Sequence, residues 1–257
     1  MVFLLLVLCP LIAGVLFFLL QLLTWSQEQR LSTRFFQQSF KASVNQYEYL
    51  PALLANDPQL KTALKGHIGN LEQLNEELKF IADRSGANAV YIMDRKGTVI
   101  ASSNYSDSNS FLEQNYSFRP YFIKAVSQRK RQFYYAIGAT TGIPGFFISE
   151  PVTEQNGDVL GVAVVKLDLS EWEKNWQEAG QNILIADDNN VVILCGRKSW
   201  RYRSIGALSP ATRKNIELQH QFGNVDIKNI YDRIHQFNGP GVLSISFWFL
   251  NYIRYNR

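Results

Sequence analysis

The longest apolar run comes first. Met1 to Trp25 carries no charged side chain, and about two dozen residues at about 1.5 Å each reach across a bilayer, so residues 1–25 read as a transmembrane helix. A cleaved signal peptide would show a basic start, a shorter apolar region and a small-x-small exit, and none of these precedes Gln27. From Ser26 to His67 the apolar positions Leu31, Phe35, Phe36, Phe40, Val44, Tyr47 and Leu54 recur mostly three or four apart, among Gln, Ser and Lys. That spacing predicts one amphipathic helix leaving the membrane, interrupted at Asp57-Pro58 and resumed over 60–64. A second helix is predicted from Leu71 to Ser85, with Leu71, Leu74, Leu78 and Ile81 inward and Gly86 as its stop.

The pattern then changes to short strands, and one unit occurs twice. Val90-Tyr-Ile-Met-Asp94-Arg-Lys-Gly97-Thr-Val-Ile100 is strand, polar turn and strand, and Ile183-Leu-Ile-Ala-Asp187-Asp-Asn-Asn190-Val-Val-Ile193 repeats it without a gap. Each first strand ends in Asp, and each turn has Gly or Asn where a positive φ is needed. The matched register suggests two copies of one α/β sensor-like module. Between them, residues 171–177 read as a connecting helix whose Trp172 and Trp176, four apart, pack between the modules.

The chemistry concentrates between Asn115 and Lys166. Alternation over 161–169 puts Val162, Val164, Lys166 and Asp168 on one face and Ala163, Val165, Leu167 and Leu169 on the other. A lysine so placed among valines needs a partner. Arg119, just before a proline and among aromatics, is a second cation in an apolar setting, and the loop between them carries Thr140, Thr141 and glycines. Two cations, two hydroxyls and an aromatic rim form a clamp for a small dianion. The structural alternatives are an ion pair of Lys166 with an acid such as Glu150, and a helix-capping or tyrosine-stacking role for Arg119.

Composition narrows the classes. With 257 residues and 46% hydrophobic content the chain can bury one or two cores. The net charge of +4 is scattered; Arg129-Lys130-Arg131 is the one basic run, and it reads as a solvated loop tip, so nucleic acid is not an expected partner. Cys9 and Cys195 have no metal or redox spacing, and neither a metal nor a cofactor is expected. None of His67, His220 and His235 is followed by the acid and proline of a phosphoacceptor helix, and no ATP-binding box or Gly-x-Ser-x-Gly occurs. No catalytic residue is assigned, and no activity is expected of this polypeptide on its own.

The segments Ala101-Ser-Ser-Asn104-Tyr, Asn115-Tyr-Ser-Phe-Arg119-Pro-Tyr-Phe, Thr140-Thr141-Gly-Ile-Pro-Gly145, Val164-Val-Lys166-Leu-Asp168 and Trp200-Arg-Tyr-Arg203 together resemble the periplasmic sensing region of the C4-dicarboxylate-sensing histidine kinases. The resemblance covers roughly residues 1–215. It implies an α+β fold: a transmembrane helix (1–25), a long helix and a second helix (26–85), then two tandem PAS-like (double Cache or PDC) modules with antiparallel sheets. The membrane-distal, ligand-binding module would span 86–170, an incomplete membrane-proximal module 171–218, and a divergent tail, with a truncated second span as one reading of it, 219–257. By the same resemblance Arg119 and Lys166 would hold the two carboxylates of succinate, fumarate or malate. Thr140 and Thr141 would add donors, and Tyr121 and Phe118 would shape the pocket, with Tyr116, Tyr135 and Ser149 chosen because they lie on the same elements. The modules would face the periplasm from the bacterial inner membrane, dimerise through the long N-terminal helix and signal in a two-component system. The alternative is a membrane-anchored Cache-type module of a chemotaxis or cyclic-dinucleotide receptor, binding an amino acid or another small carboxylate. Such a pocket needs an acid for the ligand's ammonium group.

Overall fold

In the computed structural model the described residues are 38–66, 71–180 and 183–230, with positions 14, 17 and 244–246 in addition. The predicted transmembrane helix and residues 26–37 of the amphipathic helix therefore lie almost wholly outside them. Among the described residues no helix is long and apolar enough to cross a membrane.

The amphipathic segment is more broken than its periodicity implies. Residues 38–45 are helical, 46–48 form a turn, and α1 (Tyr49–Asn56) and α2 (Pro58–Leu64) follow. At the first break the ladder tightens to i→i−3 bonds, Tyr47 to the Val44 carbonyl and Glu48 to that of Asn45. The second break is the predicted one. Asp57 is extended before Pro58, and its carboxylate caps α2 by accepting from the Gln59 and Leu60 amides. Helix α3 (Leu71–Ser85) has the predicted bounds and stops at Gly86, φ +76°.

Strands β1 (Ala89–Asp94), β2 (Val99–Ser102), β3 (Gln132–Ile137), β4 (Pro144–Thr153) and β5 (Val159–Leu167) form an antiparallel sheet in the order β2-β1-β5-β4-β3. Helix α4 (Pro120–Gln128) enters between β2 and β3. The faces of β5 divide as its alternation predicts: Ala163, Val165, Leu167 and Leu169 join Phe40, Val44, Leu54 and Leu78 in the main core. Val162 and Val164 face the other way, against Tyr121, Phe122 and Ala125 of α4. Helix α5 (Ser170–Glu178) then leads to β6 (Ile183–Ala186) and β7 (Val192–Cys195), which form a smaller sheet with β8 (Ser244–Ser246) in the order β7-β6-β8. Trp176 is buried in the core that reaches both sheets, and Trp172 meets the Phe40 ring edge-on at 6.1 Å.

The sequence repeat is a structural one. In each hairpin the Asp carboxylate accepts two backbone N–H groups across the turn, from Lys96 and Thr98 to Asp94, and from Asn189 and Val191 to Asp187. Gly97 and Asn190 take the positive φ, +81° and +60°. The second copy continues past Leu218, where the sequence reading closes it. After α6 (Pro210–Leu218), Phe222, Ile227 and Ile230 are buried, and Ser244–Ser246 lies parallel to β6. Residues 219–230 thus belong to the packed body rather than to a tail.

The two turns predict opposite responses to substitution. A Cβ on Gly97 would sit 2.7 Å from the Ser117 backbone, so Gly97→Ala should lower the unfolding free energy by about 1–3 kcal/mol. Asn190→Gly should stay within about 0.5 kcal/mol of wild type. Urea unfolding of both variants measures the difference.

Candidate functional site

Lys166 lies near the end of β5, opposite Phe147 of β4 and Ala89 of β1. It is 1% exposed. Its stem runs over Gly145, where an added Cβ would meet Lys166 Cε at 2.5 Å. The ammonium stands 3.3 Å from Thr141 Oγ1, with the Phe111 and Phe147 ring centres at 5.6 and 6.0 Å. Glu150 is not its partner: that carboxylate accepts from Arg131 Nε at 2.6 Å, so the basic run is not wholly solvated. Among the described residues Lys166 makes no ion pair. Burial pushes its pKa down from the ordinary 10.5 to about 8, and Asp168, just past the strand, offsets part of this.

Arg119 precedes α4 in the extended conformation that Pro120 favours. It is 2% exposed. Its guanidinium does not cap its own helix. Nη1 donates to the Gln219 and His220 carbonyls at 3.2 and 3.0 Å, Nη2 donates to the Ile137 carbonyl at 2.7 Å, and the group lies 5.1 Å from the Phe118 ring centre. All three acceptors are neutral, and among the described residues Arg119 also makes no ion pair.

Both cations line one narrow cavity of ≈ 10 Å³, about the room of a single water, together with Thr140, Tyr116, Tyr121 and Tyr91. The Tyr116 and Thr140 hydroxyls are 2.7 Å apart, those of Tyr91 and Tyr121 2.8 Å, and the Tyr121 ring stacks on Phe147 at 5.1 Å. Burial raises all three tyrosine pKa values above the ordinary 10, so these hydroxyls are neutral at physiological pH. No Asp or Glu is among the residues that line the cavity. The space therefore offers two positive charges, neutral hydroxyls and aromatic faces, a set suited to holding an anion.

Five of the nine residues singled out from sequence line this cavity; Thr141 touches it only through Lys166, and three lie elsewhere. Phe118 lines an adjoining cavity of ≈ 570 Å³ on the other side of Arg119 and meets the His220 ring edge-on. Ser149 is buried beneath α4, where its hydroxyl donates to the Tyr121 carbonyl and ties helix to sheet. Tyr135 points into the main core, 3.4 Å from the Tyr202 hydroxyl. Its neighbour Tyr134 has the opposite parity and reaches Gln219 Oε1. The sequence reading passed over Tyr91, Phe111 and Phe147. Two of these have a signal in strand register, since Tyr91 pairs with Val164 and Phe147 with Lys166; Phe111 lies in a loop and has none.

Residues 26–243 match dCache_3, the double sensory domain of two-component sensor kinase. The chain belongs to this family. The match runs beyond residue 215, where the visible resemblance fades. C4-dicarboxylate transport sensor protein DctB of Pseudomonas aeruginosa is 32% identical over 193 residues, 74% of this chain and 31% of that protein. The protein of the same name from Rhizobium meliloti is 30% identical over 188 residues, 73% of this chain and 30% of its own length. The chain thus spans about a third of the curated relatives it matches. The DctB histidine kinase sensor domain of V. cholerae aligns with a TM-score of 0.72 and 30% identity over 79% of each chain. An extracellular ligand-binding receptor from Desulfohalobium retbaense shares the fold at a TM-score of 0.52 and 17% identity, over 72% of this chain and 33% of its own.

In this dCache_3 domain the low pKa of Lys166 has a measurable sign. From about pH 8 to 10.5 the folded chain holds this lysine less protonated than the unfolded chain. Unfolding takes up a proton, so the stability of the ligand-free protein rises with pH through that window. Lys166→Met should be more stable than wild type near neutral pH, with the gap narrowing by about pH 9.5; denaturant unfolding at several pH values checks it.

Proposed function

We propose that this chain is the periplasmic sensing region of a two-component sensor kinase and that it binds a C4-dicarboxylate, succinate, fumarate or malate, between Arg119 and Lys166. One observation carries the reading: two buried cations line a single cavity, and among the described residues neither has an acidic partner. A buried charge is costly unless something neutralises it. A short dianion does so at both ends once the ≈ 10 Å³ space widens to admit it, accepting from the ammonium, from the remaining donors of the guanidinium, and from the Thr140 and Thr141 hydroxyls. The names of the curated relatives, C4-dicarboxylate transport sensor proteins, support the same ligand class. An amino acid would need an acid for its ammonium group, and the cavity lining has none.

Spacing supplies the selectivity. A monocarboxylate leaves one buried cation unmatched, so the pair acts as a ruler. Anchoring by the first span, dimerisation through the N-terminal helix and signalling across the membrane complete the proposal. Signalling of this kind is an equilibrium between two conformations of the module, which a ligand shifts only through its differential affinity for one of them.

The test is thermal unfolding of the chain in detergent with succinate, malate, fumarate, citrate or acetate. A true ligand at about a hundred times its Kd should add ~2.7 kcal/mol of stability. Lys166→Met should remove the shift while leaving the circular dichroism of the ligand-free chain intact. Gly145→Ala, which displaces the lysine stem, should weaken it. An equal shift with acetate would defeat the ruler, and no shift with any diacid would defeat the ligand assignment.

A further inference from the structure

The acceptors of Arg119 come from the far end of the fold. Helix α6 closes with paired bonds, from the His220 amide to the Glu217 carbonyl and from the Gln221 amide to that of Ile216, with His220 at φ +49°. This close satisfies the carbonyls inside the last turn and turns those of Gln219 and His220 outward. They carry the negative end of the helix dipole, which favours a cation. Arg119, a hundred residues earlier, takes both.

What fixes this segment is Gln221, 2% exposed. Its side-chain amide donates to the Tyr135 carbonyl at 3.2 Å and to Asp187 Oδ2 at 2.8 Å, while its own carbonyl accepts from the Ile137 amide at 2.8 Å. It thus ties the free edge of β3 to the second hairpin, next to the third acceptor of Arg119, the Ile137 carbonyl. The guanidinium is planar, so carbonyls on its Nη atoms set the direction in which its remaining edge faces.

We propose that the second module completes the site of the first: Gln221 is a positioning residue that holds the Gln219 and His220 carbonyls against Arg119 and so orients its guanidinium toward a ligand carboxylate. The ligand's identity rests on the dicarboxylate reading, whereas the orientation of the fork does not.

Two measurements on the full chain test this. In detergent, with arginine labelled by nitrogen-15 and Arg119 assigned from its loss in Arg119→Lys, the wild-type Nη–H signals should be resolved and slow to average without ligand. In Gln221→Met, which keeps the bulk and removes the donors, they should merge. Succinate affinity should fall about tenfold in Gln221→Met, as expected for misaligning a charge-assisted hydrogen bond. In the Arg119→Lys background Gln221→Met should add no further loss, the non-additivity of residues acting through one group. Averaged Arg119 signals in wild type, unchanged signals in Gln221→Met, or additive losses would each overturn the proposal, and the first does not depend on Gln221→Met folding. Failure of succinate to bind the wild type would instead overturn the ligand assignment, leaving the signal comparison to decide the role of Gln221.

Discussion

Keeping an ammonium and a guanidinium out of water, with no ion pair to either among the described residues, constrains the whole first module. Lys166 is tolerated because its stem replaces a missing side chain at Gly145, its head meets the Thr141 hydroxyl, and two aromatic rings turn toward it. Arg119 is tolerated because three carbonyls receive its donors. Neither arrangement cancels the charge. The depressed lysine pKa records the unpaid part of that cost, which favours any ligand that brings two negative charges to the cavity.

The duplicated hairpin shows how architecture and chemistry separate. Both copies make the same turn with the same Asp carboxylate bonds, and each then receives a backbone amide from the following segment, Tyr116 to the Gly97 carbonyl and Ile205 to that of Asn190. Aligned this way, Tyr91 corresponds to Leu184 and Tyr116 to Ile205. The first pair supplies hydroxyls to the cavity; the second sits in an apolar cluster with Val192, Cys195 and Trp200. The second copy keeps the scaffold and fills the equivalent space with hydrocarbon.

Legibility followed the same division. Lys166 stood out because a cation at a valine-rich strand position contradicts the local pattern, and the hairpins because their turn residues have steric reasons to be there. The parity of β3 was not legible: Phe133, Tyr134 and Tyr135 are aromatic in succession, so alternation carries no information, and Tyr135, chosen for its element alone, turns into the main core. The break at 46–48 has neither Gly nor Pro to betray it. The partners of Arg119 were the least accessible, because they are backbone carbonyls, which every residue has, and only tertiary contact selects which ones serve. The early end drawn at Leu218 has the same origin, since Gln221 signals nothing until Asp187 and Tyr135 are beside it.

One guanidinium therefore answers to two neighbours. In the proposed complex a ligand carboxylate and the carbonyls after α6 would draw on the same planar set of donors, so strengthening one contact would alter the alignment of the other. Coupling between sites is reciprocal: if ligand binding tightens or loosens the hold on Gln219 and His220, the position of that segment must change ligand affinity by the same factor. Typical coupling free energies of about 1–3 kcal/mol are the size of one or two charge-assisted hydrogen bonds, so the Arg119 contacts alone have the capacity for it. Lys166, bonded to Thr141 within the first module, has no described contact with the second. Under the proposed binding mode the two cations are unequal: the lysine would set affinity and spacing, and the arginine would relay occupancy between modules.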